Sequence, residues 1–509
     1  MSIFLYKFSI CEHNIFENAN KKIIGGIQMN LTKKTASIFL CVILSISSVL
    51  AFTACGKNNS NNNTLDSTSS AEKANVTVRY LNFKPEVADI YQKIAQEYEK
   101  ETGVKVVVET AANNEYESTL TAKMSTKSAP TLFQINGPKG YSNWKEYCAD
   151  LSDSELYKHL KDKSLAVTSS DGKVYGIPVS KEISYIYYNK DLFAEVVEGY
   201  GIIYNKAICD KYFKLDDKST DFKSMEDIDS FDKLKSLVED MQKNKSKLGI
   251  DGVFASTSLK SGENWRYQTH LANVPLFYEF TKNKIDLTSD DTSKITFEYA
   301  DNYKNIFDLY LNNSTVDKGK TGTKTVTDSM AEFALEKCAM VQNGNWAWSQ
   351  ISKVKGNKVQ SENVKFLPIY TGVKGEETQG LCIGTENYYA INSKATKEEQ
   401  KAAQDFIYWL YSSEKGKKFV TDELGFIAPF DTFNDNEVPS DPLAQEVNNW
   451  MNKQSVTTIP WYFTVFPSQT FKDNFGSSLL KYAQGNKTWQ QVKEDAVKDW
   501  ESEANASKS

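Results

Sequence analysis

Polar and apolar positions alternate along Val76–Leu81 (VTVRYL), which predicts a strand. Pro85 and Glu86 then open a segment with a different period. Val87, Ile90, Ile94 and Tyr98 recur at three- and four-residue spacing, so one face of a helix is apolar as far as about Glu101. Gly103 supplies the stop. Val104–Glu109 (VKVVVE) alternates again and predicts a second strand. Strand, helix and strand in close succession make a βαβ unit, so the sheet is at least partly parallel. A helix over about Tyr116–Ser125 and a short strand over Thr131–Ile135, after Pro130, extend this α/β region.

Farther along, helical periods dominate. They predict helices near Ser230–Asn244, Phe297–Leu311, Asp328–Glu336, Lys397–Tyr411, Leu443–Lys453 and Trp489–Glu503. Short apolar runs predict strands between them, at Gly176–Pro178, Ile183–Tyr188, Cys338–Val341, Lys365–Pro368 and Tyr388–Ile391. Lys211–Lys223 is charged and irregular, as expected of a surface insertion. The body shows no internal repeat and no long Pro/Gly linker, so any two lobes are not strung as beads.

The pattern before Val76 is an address rather than a fold. Lys33 and Lys34 precede an uncharged, mostly apolar stretch from Ala36 to Ala51, followed by Phe52-Thr-Ala-Cys55-Gly. This is the three-part layout of a secretory signal. The small residue before Cys55 resembles the lipobox of bacterial lipoproteins, in which the cysteine is acylated and becomes the mature N-terminus. Phe52 departs from the usual Leu. A single membrane anchor is the alternative, since the stretch nearly reaches the ~20 residues a span needs. Residues 1–28 fit no targeting pattern, and Met29 is a second candidate start. Gly56–Lys73, rich in Asn, Ser and Thr, reads as a flexible tether.

Composition narrows the chemistry. The chain has 509 residues, 40% hydrophobic and 12% aromatic, so it can bury a large core. A net charge of -6 argues against a nucleic-acid binder. Arg79 and Arg266 are the only arginines among 60 basic residues. Bidentate guanidinium clamps on phosphates or carboxylates are therefore scarce, which weighs toward an uncharged ligand. Three His and scattered Cys make a structural zinc site unexpected. The body's Cys148, Cys209, Cys338 and Cys382 are expected as free thiols, although three pairings are open to them.

No phosphate loop or nucleophile elbow is found. Asp317–Lys324 has the wrong spacing and follows no strand. His159 and His270 have no ligand partner at helical spacing. Neither a metal nor another cofactor is expected. What stands out is aromatic residues near turns, flanked by Asn and Glu: Trp265, Trp346 with Trp348, and Trp461 after Pro460. An indole face stacks on the apolar face of a pyranose while amides and carboxylates hold its hydroxyls. Core packing is the competing fate of each ring.

Several passages, in order, resemble the solute-binding lipoproteins of carbohydrate ABC importers, the maltodextrin-binding-like group of extracellular solute-binding proteins. They are Tyr98–Val106 (YEKETGVKV), Asp171–Pro178 (DGKVYGIP) with Tyr187–Leu192 (YYNKDL), Ala339–Trp348 (AMVQNGNWAW), Phe406–Tyr411 leading to Leu424–Pro429 (LGFIAP), and Gly485–Gln491 before a final helix. The likeness covers essentially residues 76–505. It implies an α/β fold of the type II periplasmic-binding-protein kind. Each of two lobes is a mixed sheet flanked by helices, and the chain crosses between them about three times. The expected N-lobe is 76–184 with 387–432, and the C-lobe 185–386 with 433–505. The signal is 29–54, the tether 55–75, and 1–28 a dispensable or untranslated extension.

The resemblance also implies the function: binding a sugar or oligosaccharide in the interlobe cleft, without catalysis, and delivering it to membrane permease subunits. The protein would be a monomer held by lipidated Cys55 on the extracytoplasmic face of the membrane. Trp346 matches the stacking Trp of the family's Asn-Gly-x-Trp motif. Trp265 with Glu263 matches an acid-x-aromatic pair, Glu182 the crossing-strand acid, and Glu86 a polar contact after the first strand. Asn136 and Lys139 lie in a loop where maltodextrin binders carry Trp and Asp, a departure that speaks against maltodextrin itself. The late aromatic contact is Trp461 or Phe471. A binder of a peptide, polyamine or glycerol-phosphate, and a surface glycoside hydrolase, stay open as alternatives, as does the identity of the sugar.

Overall fold

The computed structural model describes residues 76–506, apart from 113–114, 161–192, 286, 288–289, 435 and 463–464. The expected signal, the tether with Cys55, the strands at 176–178 and 183–188, and Glu182 therefore lie outside the described residues.

Strands β1 (Thr77–Asn82) and β2 (Lys105–Thr110) pair in parallel, with Tyr80 opposite Val108. The helix Ala88–Thr102 connects them and buries Ile90, Tyr91, Ile94, Ala95 and Tyr98. Gly103 ends it at φ +74, a left-handed conformation that an L side chain resists. This is the βαβ unit read from the periodicity. β3 (Leu132–Ile135) joins β1 in parallel.

The second half is built on two long strands. β4 (Phe193–Asn205) and β7 (Gln379–Ile391) run antiparallel from Phe193↔Tyr389 to Tyr200↔Cys382. The last residues of β7 pair with β3, while β4 also takes β5 (Met340–Gly344) and β6 (Val364–Leu367). β8 (Thr457–Ile459) lies parallel to β7. The strand order is β2-β1-β3-β7-β4-β5, so β4 and β7 are shared by the sheets of both halves.

Two sets of buried side chains pack on this framework. One includes Tyr80, Tyr91, Ile94, Leu132, Phe406, Leu410 and Phe430. The other includes Tyr200, Leu234, Leu271, Tyr303, Phe307, Trp461 and Trp500. The chain segments that feed them interleave, because the stretch 389–433 returns to the first core and the stretch from Ile459 to Trp500 to the second.

Some expectations shift. The strand expected at 388–391 is only the end of β7, and the one expected at 338–341 begins at Met340. β4 was not legible, because Glu195, Glu198, Gly199 and Gly201 interrupt its apolar pattern. The helices Ala272–Asn283 and Gln469–Ala483 were also missed, since Pro275 and Gly476 sit inside them. The expected insertion at 211–223 begins as the end of a helix, Lys206–Phe213. Its remainder is tied down by Asp240, which accepts from Tyr212 Oη (2.7 Å) and Ser219 N (2.8 Å). Cys209, Cys338 and Cys382 are buried free thiols, as expected.

Candidate functional site

The end of β5 positions the most prominent ring. Trp346 follows Gly344 and Asn345 and opens the short helix Ala347–Ser352. A Cβ on Gly344 would lie 2.2 Å from the Trp346 ring, so only glycine lets the indole fold back on its own strand. Asn345 locks the turn to β4: its Oδ1 accepts from Gly199 N (2.9 Å) and its N donates to Gly199 O (3.0 Å). Ser349 Oγ donates to Trp346 O at 3.0 Å.

Behind Trp346 stands a shell of rings. Tyr200, His270 and Trp265 have centroids 5.9, 5.8 and 6.0 Å away. Trp461 lies 5.6 Å beyond His270. Burial pushes the His270 imidazole down to about 3, so it is neutral at ordinary pH.

The front of Trp346 borders a cleft that is partly open to solvent. Its lining comes from both cores: Glu86 and Val87 after β1, Glu198 on β4, Asn345, Trp346 and Ser349 after β5, and Leu424, Gly425, Phe426 and Asp441. Lys84 forms an ion pair with Glu198 Oε1, and the two side chains are only 6% and 3% exposed. The same ammonium stands over the rings of Trp346 (5.6 Å) and Phe426 (5.9 Å). Burial pushes the Glu198 carboxyl up, Lys84 opposes that, and nearby Glu86 reinforces it. Asp441 is pushed up to about 7 by burial, against hydrogen bonds that its Oδ1 accepts from Leu443 N (2.8 Å) and Ala444 N (3.0 Å).

Of the residues singled out from sequence, Trp346 and Glu86 meet at this cleft. Trp265 is half-buried behind Trp346. Glu263 faces another way: its Oε2 accepts from Val326 N (3.0 Å) at the start of the helix Val326–Ala334. Trp461, 1% exposed, packs in the ring shell. Phe471, 2% exposed, packs with Phe466, Phe475 and Trp500 and does not line the cleft. Core packing has thus claimed both late aromatics, because the helix and turn that carry them face inward. Asn136 immediately precedes the helix Gly137–Trp144, which also carries Lys139.

Lys84, Glu198, Phe426 and Asp441 were not anticipated. Lys84 stands two residues before Glu86, the one hint in the sequence. Glu198 was hidden with its strand. His159 pairs with Asp431 (2.7 Å) and stacks on Tyr408, at the surface. Among the described residues no three His, Cys, Asp or Glu side chains converge on a metal-binding position.

A shared pair of long strands, two interleaved cores and a cleft lined from both define the architecture of a two-lobed binding protein. The chain belongs to the bacterial extracellular solute-binding protein family, whose model matches residues 93–446. The multiple sugar-binding protein of Streptococcus mutans is 21% identical over 80% of this chain and 86% of its own length. Among solved structures, a chitin oligosaccharide binding protein superposes with a TM-score of 0.61 and 18% identity, over 85% of this chain and 98% of its own. A solute-binding protein RafE in complex with raffinose gives 0.59 and 18%, over 84% and 100%. These likenesses share the two-lobed α/β fold. The family is extracellular, and its members bind solutes.

Proposed function

We propose that this protein is the substrate-binding component of an ABC importer for a sugar or oligosaccharide. The observation that carries this reading is Trp346: a half-buried indole on a rigid turn, at a cleft otherwise lined mainly by carboxylates, an amide and a hydroxyl. Such a site offers stacking to a pyranose face and acceptors to its hydroxyls. The relative named for multiple sugars and the neighbours solved with raffinose and maltose support the same ligand class.

In this reading the lobes are 76–184 with 387–432 and 185–386 with 433–505, and β4 and β7 bend as the lobes close. The closed form is presented to the permease, and no covalent chemistry takes place on the protein. Glu86, Glu182, Asn136, Lys139 and Trp265 supply polar and ring contacts around Trp346, while Glu263 holds the start of the helix Val326–Ala334. Acylation of Cys55 holds the mature chain at the outer face of the membrane. Calorimetry of the mature protein against mono- and oligosaccharides tests the proposal. Micromolar or tighter binding to at least one, weakened in Trp346→Ala, is the expected result. Absence of binding across a broad glycan panel refutes it.

A further inference from the structure

We infer that Lys84 is the residue that makes this cleft select uncharged ligands over amine-bearing ones, because its own ammonium fills a position built to hold a cation. The ligand arm of this inference rests on the sugar-binding reading above; the cation position itself does not.

Four observations place a cation there. Two aromatic rings, Trp346 and Phe426, stand 5.6 and 5.9 Å from Lys84 Nζ, the arrangement of an ammonium cage. Glu198 Oε1 forms the ion pair. Glu198 Oε2 is buried without a hydrogen-bond partner among the described residues, so the carboxylate has spare acceptor capacity at an atom shielded from bulk solvent. Glu86 and Asp441 line the same cleft, and no basic residue is among its described lining.

Lys84 reaches this position from the turn after β1 and arrives on a four-carbon stem. The rings and the carboxylate recognise an ammonium and not the stem that carries it. With Lys84 in place, an amine-bearing ligand meets a like charge. Without Lys84, the same ligand meets two rings and an unpaired buried carboxylate. A neutral ligand has no such incentive. Lys84 thus sets the charge preference of a cleft whose lining alone favours cations.

The test uses the mature protein, Lys84→Ala, and Lys84→Ala/Glu198→Gln. Thermal unfolding is followed in methylammonium chloride and in sodium chloride at equal ionic strength, which removes general screening. Methylammonium is expected to raise the melting temperature of Lys84→Ala by several degrees and to leave the wild type and the double variant unmoved. If Lys84→Ala does not fold alone, refolding yield becomes the readout, and methylammonium-dependent recovery is the expected result. No response in Lys84→Ala, or an equal response in the double variant, overturns the cation position. Affinities are then compared for a glucosamine oligosaccharide with free amines and its N-acetylated counterpart of the same length. Lys84→Ala is expected to shift the preference at least tenfold toward the amine, and an unchanged preference overturns the selection role. If the wild type binds no glycan but methylammonium rescues Lys84→Ala, the sugar reading falls and the cation position stands.

Discussion

Behind Trp346 the cleft is backed by Tyr200, Trp265, His270 and Trp461; in front of it lie Lys84, Glu86, Glu198 and Asp441. The rings gain from burial and from edge or tilted contacts, each about 0.5–1.5 kcal/mol beyond the area removed from water. Nothing in that shell titrates at ordinary pH, since the one imidazole is held neutral. The charged side is different. It keeps Lys84 and Glu198 out of water, so each is costly unless the other is present. The rear shell gives Trp346 a fixed place, and the front gives the cleft a preference that responds to charge. The two sides should therefore fail differently when mutated.

The largest effect is expected at the rear. Trp461→Ala should lower stability by about 3–5 kcal/mol, because it empties space at the centre of the second core. Urea denaturation measures this, and a loss under about 1 kcal/mol would mean that the shell is not a packed core. At the front, Glu198→Gln should cost about 3 kcal/mol by leaving the Lys84 ammonium buried without its carboxylate. The double variant Lys84→Met/Glu198→Leu should recover most of that loss, and a double-mutant cycle reads out the coupling. Additive losses would show that the pair does not act as a unit.

Trp346 sits between the two sides and should separate binding from stability. Trp346→Ala is expected to weaken sugar binding at least tenfold, about 1.4 kcal/mol, while costing less stability than Trp461→Ala. Calorimetry and denaturation on the same sample distinguish these. Unchanged affinity would move the ring from the ligand to the core.

The smallest effect is a pH slope. An aspartate in an unfolded chain loses its proton near pH 3.9, whereas Asp441 in the fold holds its proton to about 7. Between those values the native state binds the extra proton, so this carboxyl makes stability fall as pH rises from about 4 to 7. Asp441→Asn should flatten that part of the profile and still cap the helix Pro442–Met451. A slope identical to wild type would assign the pH dependence to Glu198 instead, whose carboxyl burial also pushes up.

Legibility in the sequence followed the same division. The helix 88–102 and strands β1 and β2 were readable because each has one buried face and a clear period. β4 has Glu198 buried in its middle and glycines beside it, so neither alternation nor an apolar run marks it. The glycines answer to tertiary neighbours: a Cβ on Gly199 or Gly201 would come within 3 Å of Val447 or of Leu367 O. Trp346 stood out through its motif, and Trp461 stood out equally well. Only packing separated the ring that borders the cleft from the ring enclosed by the core.

The sequence by itself determined the family, the α/β class, most helices and the one Trp-bearing turn, because periodicity, capping residues and a local motif are properties of neighbouring positions. The tertiary structure alone decided which acids and cations face one another. Lys84 and Glu198 are 114 positions apart, and they meet because β1 and β4 belong to sheets joined through β7. A buried charge gains its meaning from its partner and its distance from water, and neither is written in the residues beside it.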